Sequence, residues 1–361
     1  MVRALLIVFA VIALLLAGRA AFVVPPAAGV FQDPEETGLE GCERVAVAPG
    51  TEDVTIDPRT GLVFVSATER RPRESEPDDG IPDNEISDNG IYVFPLDEPE
   101  ALRRVSVDAP VDFRPHGISR WRGEAADGAP ITRLFVISHP DSGHQVLIYD
   151  VAEDGRLAHV RTVTDPALRS PNDLVAVGPD QFYATNDLRF AGAWMGVVEA
   201  FFALPLGSIA YFDGAKGRIA AGRLAFANGI ATDGTGETLY ASALFGRKVH
   251  VFDRDAETGA LTRTRRIPVP LGLDNIEIAP DGDLLIGGTP DIFAFRDHRD
   301  DANALAPSQV VRVDPEAGTH ETIFYSGGEA ISASSVGAVH DGRLVVGAVY
   351  DPHVLVCPLQ D

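Results

Sequence analysis

The chain has 361 residues, 45% of them hydrophobic, with 35 Gly and 26 Pro, so it can build a sizeable core and suits many turns and short strands better than long helices. Its formal charge of -23, from 30 basic and 53 acidic residues, speaks against nucleic acid, whose partners must neutralise phosphate. Most of these charges serve solubility, and a few carboxylates are left as candidate metal ligands.

At the N-terminus, Arg3 precedes an apolar run from Ala4 to Ala17, followed by the small residues Gly18, Ala20 and Ala21. This is the layout of a signal peptide: a charged start, an apolar stretch and a cleavage zone. The run is short of the roughly 20 apolar residues that span a bilayer, but Phe22-Val23-Val24 extends it past Arg19. Residues 1–24 therefore read as a cleaved signal peptide or a retained membrane anchor, and residues 25–361 as one folded domain. The expected location is secreted, periplasmic or anchored at the outer face of a membrane. Cys42 and Cys357 lie near the two ends of that domain. In a cytosolic chain they would be two unrelated buried thiols; in an exported one an even count suggests a disulfide, joining the first and last strands across a very long loop.

A turn rich in Asp, Gly and Pro, followed by a short apolar strand, then recurs six times. The copies begin at Asp57-Pro58 (strand Leu62 to Ser66), Asp127-Gly128 (Leu134 to Ser138) and Pro179-Asp180 (Phe182 to Asn186). They continue at Asp233-Gly234 (Leu239 to Ser242), Asp281-Gly282 (Leu284 to Gly287) and Asp341-Gly342 (Leu344 to Gly347). Further alternating strands lie between copies, as at Ile91 to Phe94, Val146 to Tyr149, Val249 to Phe252 and Val310 to Val313. Spacing of about 40–50 residues is that of propeller blades. The expected fold is all-β: a six-bladed β-propeller around a central channel.

Before each turn stands a second signal, one or two polar residues and an aliphatic: Glu52-Asp53-Val54, His116-Gly117-Ile118, Asn172-Asp173-Leu174, Asn228-Gly229-Ile230, Asp274-Asn275-Ile276 and, more weakly, Ser334-Ser335-Val336. Equivalent positions of successive blades converge on a propeller axis, so these polar side chains should meet in the channel. Carboxylates packed together repel and are expensive to bury. A hard cation with six to eight oxygen ligands resolves the conflict, which makes calcium the expected ion. The ring lacks cysteine, against structural zinc. His116 lies in the ring and His139 follows a strand of the same repeat, so the pair is a candidate base for proton transfer near neutral pH.

These residues resemble the serum paraoxonases/arylesterases, a family of calcium-dependent lactonases on six-bladed propellers. The matching segments are Gly50-Thr51-Glu52-Asp53, Arg114-Pro115-His116-Gly117-Ile118-Ser119, Ile137-Ser138-His139-Pro140-Asp141 and Pro171-Asn172-Asp173-Leu174-Val175-Ala176-Val177-Gly178-Pro179. Phe182-Tyr183-Ala184-Thr185-Asn186-Asp187, Phe226-Ala227-Asn228-Gly229-Ile230 and Leu273-Asp274-Asn275-Ile276 continue the match. The resemblance implies two calcium ions. Glu52, Asn172, Asn228, Asp274 and Asn275 match ligands of a catalytic ion; Asp53, Asp173 and the backbone carbonyl of Ile118 match those of a structural ion. His116 and His139 match a water-activating dyad, with Glu52 or Asp274 as alternative bases, and Cys42 and Cys357 match a closing disulfide. The implied substrates are lactones and aryl esters, with acyl-homoserine lactones a candidate and phosphotriesters a weak side activity.

The chain departs from the family at two places. Gly288-Thr289 replaces a free cysteine, and Glu69-Arg70-Arg71-Pro72 with an acidic stretch through Asp78, Asp79, Asp83 and Asp88 replaces an aromatic active-site loop. The spacing of those aspartates is not that of an EF-hand, and a solvated loop is expected. The segment Phe190 to Leu206, with Trp194, Met195, Phe201 and Phe202, is expected to be a lid over the site or a membrane contact. Two competing readings remain: a gluconolactonase-like sugar lactonase, and a non-catalytic propeller that uses calcium for stability.

Overall fold

A computed structural model of the chain describes residues 2–29, 34–71, 88–125, 128–192 and 194–359. Pro72, Asp78, Asp79, Asp83 and Asp127 lie outside these residues.

Alternating apolar positions and frequent turns give short strands, and the strands assemble into six four-stranded antiparallel sheets. The expected six-bladed β-propeller is the observed fold. Its inner strands are Asp53–Asp57, Pro115–Glu124, Pro171–Ala176, Ala227–Thr232, Gly272–Ile278 and Ser334–His340. Each packs on the next, and the last packs on the first, closing a ring around the axis. The six turn-and-strand copies form the second strand of each blade, from Leu62–Ala67 to Arg343–Ala348.

The last sheet draws on both ends of the chain. Glu43–Ala46 pairs with His353–Pro358 as its outermost strand, and Cys42 is disulfide-bonded to Cys357 beside that pairing. The core lies between adjacent blades. Val54, Val65, Phe94, Val336 and Val354 pack together across the closure, and Phe135, Ile148, Leu174 and Phe182 fill the space between the second and third blades. Each such side chain contributes about 1.5–3 kcal/mol on burial.

Among the described residues, three α-helices sit outside the blades: α1 (Val2–Ala27), α2 (Trp194–Phe201) and α3 (Ile292–Asp300). The end of α1 is held to the propeller. Arg19 donates to the carbonyls of Phe202 and Ala203, Arg247 donates to that of Pro26, and Ala28 pairs with Asp291. Among the described residues, no helix is long and apolar enough to cross a membrane. Among the described residues of the segment Phe190 to Leu206, α2 alone is helical; buried Glu199 ties it down by accepting from the N–H groups of Arg189 and Phe190 at 3.0 and 3.2 Å. The sequence reading missed α3, which starts where the Asp291 side chain accepts from the N–H groups of Phe293 and Ala294.

Candidate active site in the axial channel

The polar pairs are placed by a repeated irregularity. In five blades the inner strand carries one extra residue against its partner: between Pro115 and Ile118, Pro171 and Leu174, Ala227 and Ile230, Leu273 and Ile276, and Ser334 and Val336. Such a bulge breaks the alternation of the pleat and re-aims side chains. Glycine follows the polar residue where the next blade crowds in. A Cβ on Gly117 would lie 2.6 Å from the Asp173 Cα, and one on Gly229 would lie 2.6 Å from the Asn275 Cα.

Hydroxyls from neighbouring strands satisfy the carbonyls freed near the axis. Ser66 donates to the His116 carbonyl at 2.5 Å, Thr185 to that of Asn228 at 2.6 Å and Ser242 to that of Asp274 at 2.7 Å. Ser335 donates to the Glu52 carbonyl at 2.5 Å, which gives the weakest copy of the motif a defined place.

The ring divides into two sets along the channel. Glu52, Asn172, Asn228, Asp274 and His116 line a cavity of about 680 Å³. Asn275 joins this set through its Nδ2, which donates to Glu52 Oε1 at 3.0 Å. Asp53, Asp173 and Ile118 line a second cavity of about 320 Å³. There Asp53 Oδ2 accepts from the Ile118 N–H at 2.6 Å, and Asp173 Oδ2 from the Ile230 N–H at 2.8 Å.

The electrostatics show what the upper set lacks. Glu52 Oε2, Asn172 Oδ1, Asn228 Oδ1 and Asn275 Oδ1 are buried acceptors without a hydrogen-bond donor, a costly state for polar atoms. Burial, and then the charge of neighbouring carboxylates, pushes Asp53, Asp173 and Asp274 well above the usual carboxylate range. Burial also pushes Glu52 up, but His116, Arg70 and Asn275 outweigh it and hold that carboxyl low. Uncharged amide oxygens beside carboxylates are the donor set of a hard cation. Among the described residues, no three His, Cys, Asp or Glu side chains form a metal-binding group by themselves, so any site here depends on its amides.

His116 and His139 meet as the sequence suggested. His116 Nδ1 lies 2.8 Å from His139 Nε2, and His116 Nε2 lies 3.4 Å from Glu52 Oε1. Burial, followed by the charges of His116, His144 and Arg70, lowers His139 to about 2. Two further groups escaped the sequence reading. His144 approaches His139 at 2.8 Å, Nδ1 to Nδ1; the signal was a second histidine five positions on, across a hairpin loop. Half-buried Arg70 lies 3.8 Å from Glu52 and donates to the carbonyls of Gly50, Thr68 and Pro115. It fell within a stretch read as loop.

The upper cavity is roofed by apolar side chains: Val23 and Val24 of α1, Val197 and Phe201 of α2, and Phe293 and Phe295 of α3. Of the four residues expected to form a lid or a membrane contact, Phe201 lines the cavity. Trp194 points away and is 75% exposed, while Met195 and Phe202 are half-buried outside the lining.

The fold and channel define the class: a six-bladed propeller with buried oxygen donors and a histidine pair on its axis. Residues 90–359 match the model of the Arylesterase family. The chain is 30% identical to rat (Rattus norvegicus) serum paraoxonase/arylesterase 1, over 91% of this chain and 92% of that one. It is 28% identical to human (Homo sapiens) serum paraoxonase/arylesterase 2, over 96% and 97%. The chain belongs to the arylesterase (paraoxonase) family, which supports a hydrolase of esters or lactones. Among solved structures it resembles a gluconolactonase from Xanthomonas campestris (TM-score 0.54, 18% identity, 91% and 96% coverage). It also resembles a calcium-binding regucalcin from Agrobacterium tumefaciens (TM-score 0.50, 13% identity, 88% and 93% coverage). These two likenesses concern the fold.

Proposed function

We propose that the chain is a calcium-dependent hydrolase of hydrophobic lactones and aryl esters. The observation that carries this is the group of donor-less oxygens on Glu52, Asn172, Asn228 and Asn275, set beneath an apolar cavity and against His116. With Asp274, these residues would hold a catalytic calcium; Asp53, Asp173 and Ile118 would hold a structural one. When bound, the catalytic ion supplies Lewis-acid polarisation of the substrate carbonyl.

The chain's own groups do the rest. The walls from Val24, Phe201 and Phe293 take the acyl chain or ring and exclude water. His116 Nε2 faces the channel and removes a proton from the attacking water; His139 holds the ring through Nδ1. The mainly apolar roof favours this reading over a sugar lactonase, whose substrate needs many hydrogen-bond partners. The disulfide and the outward Phe22 and Trp194 support an exported protein resting on a lipid surface.

The test is turnover by purified, calcium-loaded protein of phenyl acetate, a medium-chain lactone and gluconolactone. The expected order places the first two well above the sugar lactone. Hydrolysis of gluconolactone alone would favour the sugar lactonase, and no hydrolysis would favour a binding propeller.

A further inference from the structure

Each of the first five blades sends a charged or amide side chain to the upper cavity: Glu52, His116, Asn172, Asn228 and Asp274. The sixth blade differs. The hydroxyls of Ser334 and Ser335, at the start of its inner strand, are taken up by the carbonyls of Gly288 and Glu52. What this blade offers the cavity is Tyr350, just past the strand Arg343–Ala348. Among the described residues, it carries the only hydroxyl in the lining.

Tyr350 is 5% exposed and held from several sides. Its carbonyl accepts from the Gly50 N–H at 3.2 Å and from Arg71 Nη1 at 3.0 Å. The Arg71 guanidinium also lies over the ring, 5.2 Å from its centre. Phe295 and His298 of α3 meet the ring at 5.4 and 5.8 Å between centres. His298 is fixed in turn: its Nδ1 donates to the Ala304 carbonyl at 2.6 Å, and its Nε2 lies 2.8 Å from Arg71 Nη2. A ring gripped in this way has little freedom, so the place of its hydroxyl is set before a substrate arrives.

The hydroxyl is the part left free. Among the described residues no group hydrogen-bonds to it, and it is not shut in as the hydroxyls of Tyr149 and Tyr183 are. It therefore opens on the cavity that Tyr350 lines. A tyrosine hydroxyl keeps its proton near neutral pH and donates it to an oxygen. A substrate that fills the cavity strips water from this group. If the substrate brings an acceptor, the lost bond is replaced; if it brings none, a buried donor is left unpaired at a cost. Sites built on such a group discriminate between ligands that differ by one polar function.

We infer that Tyr350 is a specificity-determining residue whose hydroxyl donates to a second acceptor on the substrate, a carbonyl or ether oxygen apart from the ester group that is cleaved. The inference rests on the hydrolytic reading above and narrows it to lactones and esters that carry such an oxygen beside an apolar chain. The chain lies along Val24, Phe201 and Phe293, and the extra oxygen turns toward the sixth blade.

The test compares the full calcium-loaded chain with Tyr350→Phe, which removes the oxygen and keeps the ring. Two γ-lactones of equal chain length serve as substrates, one with an α-acylamino substituent and one with a plain α-alkyl substituent. The parent's preference in kcat/KM for the acylamino lactone should fall about 3- to 10-fold in the variant, the range for one neutral hydrogen bond, with the change in KM rather than kcat. The matching α-acylamino lactam, which resists hydrolysis, gives a readout without turnover: calorimetry should show its Kd rise by the same factor. A preference that stays the same in the variant, or an unchanged lactam Kd, overturns the inference. A parent that opens neither lactone shows that the hydrolytic reading has failed, and the lactam Kd then decides on the Tyr350 hydroxyl by itself.

Discussion

His116 Nε2 stands 3.4 Å from Glu52 Oε1, so the proposed base and a proposed calcium ligand touch while having different tasks. Their substitutions should therefore part company. His116→Gln is expected to lower kcat by about 10²–10⁴-fold, the range for loss of a general base, with calcium affinity retained. Glu52→Gln is expected to weaken calcium binding and turnover together. Calorimetric calcium titration beside steady-state kinetics checks both, and full activity in His116→Gln would remove the histidine from the mechanism.

Phe201 reaches the cavity from α2 although 56% of it is exposed. Truncating it removes apolar wall from the substrate's far end. Phe201→Ala should reduce kcat/KM for long-chain lactones about 3- to 10-fold, less than the roughly 1.5–3 kcal/mol of a fully buried side chain would give. Phenyl acetate should be nearly unaffected. A chain-length series of lactones reads this directly, and equal losses on every substrate would argue for a structural role.

Glu277 lines the lower cavity near Arg120. Burial raises its carboxyl from 4.5 to about 7, against a hydrogen bond from Thr55 and the charge of Arg120. The native state thus favours the neutral form. Its stability is whole below the unfolded value of 4.5 and is lost as pH rises through about 7. The full loss is on the order of 3 kcal/mol. Glu277→Gln should be more stable than the parent at pH 8 by about that much, with the gain gone near pH 4. Urea unfolding at the two pH values measures it; a gain independent of pH would assign the effect to something other than ionisation.

The Cys42–Cys357 bond spans 315 residues. Cross-links over such loops are worth about 2–5 kcal/mol. Cys357→Ser should lower stability by that order and free Glu43–Ala46 from the last blade before the other blades melt. Hydrogen exchange at Val45 and Val356 reports the order of opening, and simultaneous loss of all blades would show that the closure is not a separate weak point.

The blades were legible because their signals are local. Asp-Gly turns and alternating strands such as Leu284–Thr289 declare themselves within ten residues. The two oxygen sets were legible because one or two polar residues followed by an aliphatic recur six times, and the bulges that accompany five of these copies, as at Asn172-Asp173 and Asp274-Asn275, are their physical form. What escaped depends on long-range packing. Arg70 becomes part of the site only because its segment folds back to reach Gly50 and Pro115. α3 carries apolar and charged residues in a short run, and its role as a wall appears only when Phe293 and Phe295 face Phe201 across the cavity. Trp194, beside the site in sequence, is exposed and does not line the cavity, a placement that only the packing of α2 decides.

The central claim is that the buried oxygens of Glu52, Asn172, Asn228, Asp274 and Asn275 hold a calcium ion that the hydrolysis requires. The most direct measurement is turnover of a medium-chain lactone by purified protein, first with calcium, then with excess chelator, then with calcium restored. The account predicts activity that disappears with chelator and returns with calcium. Activity that persists through exhaustive chelation would contradict it.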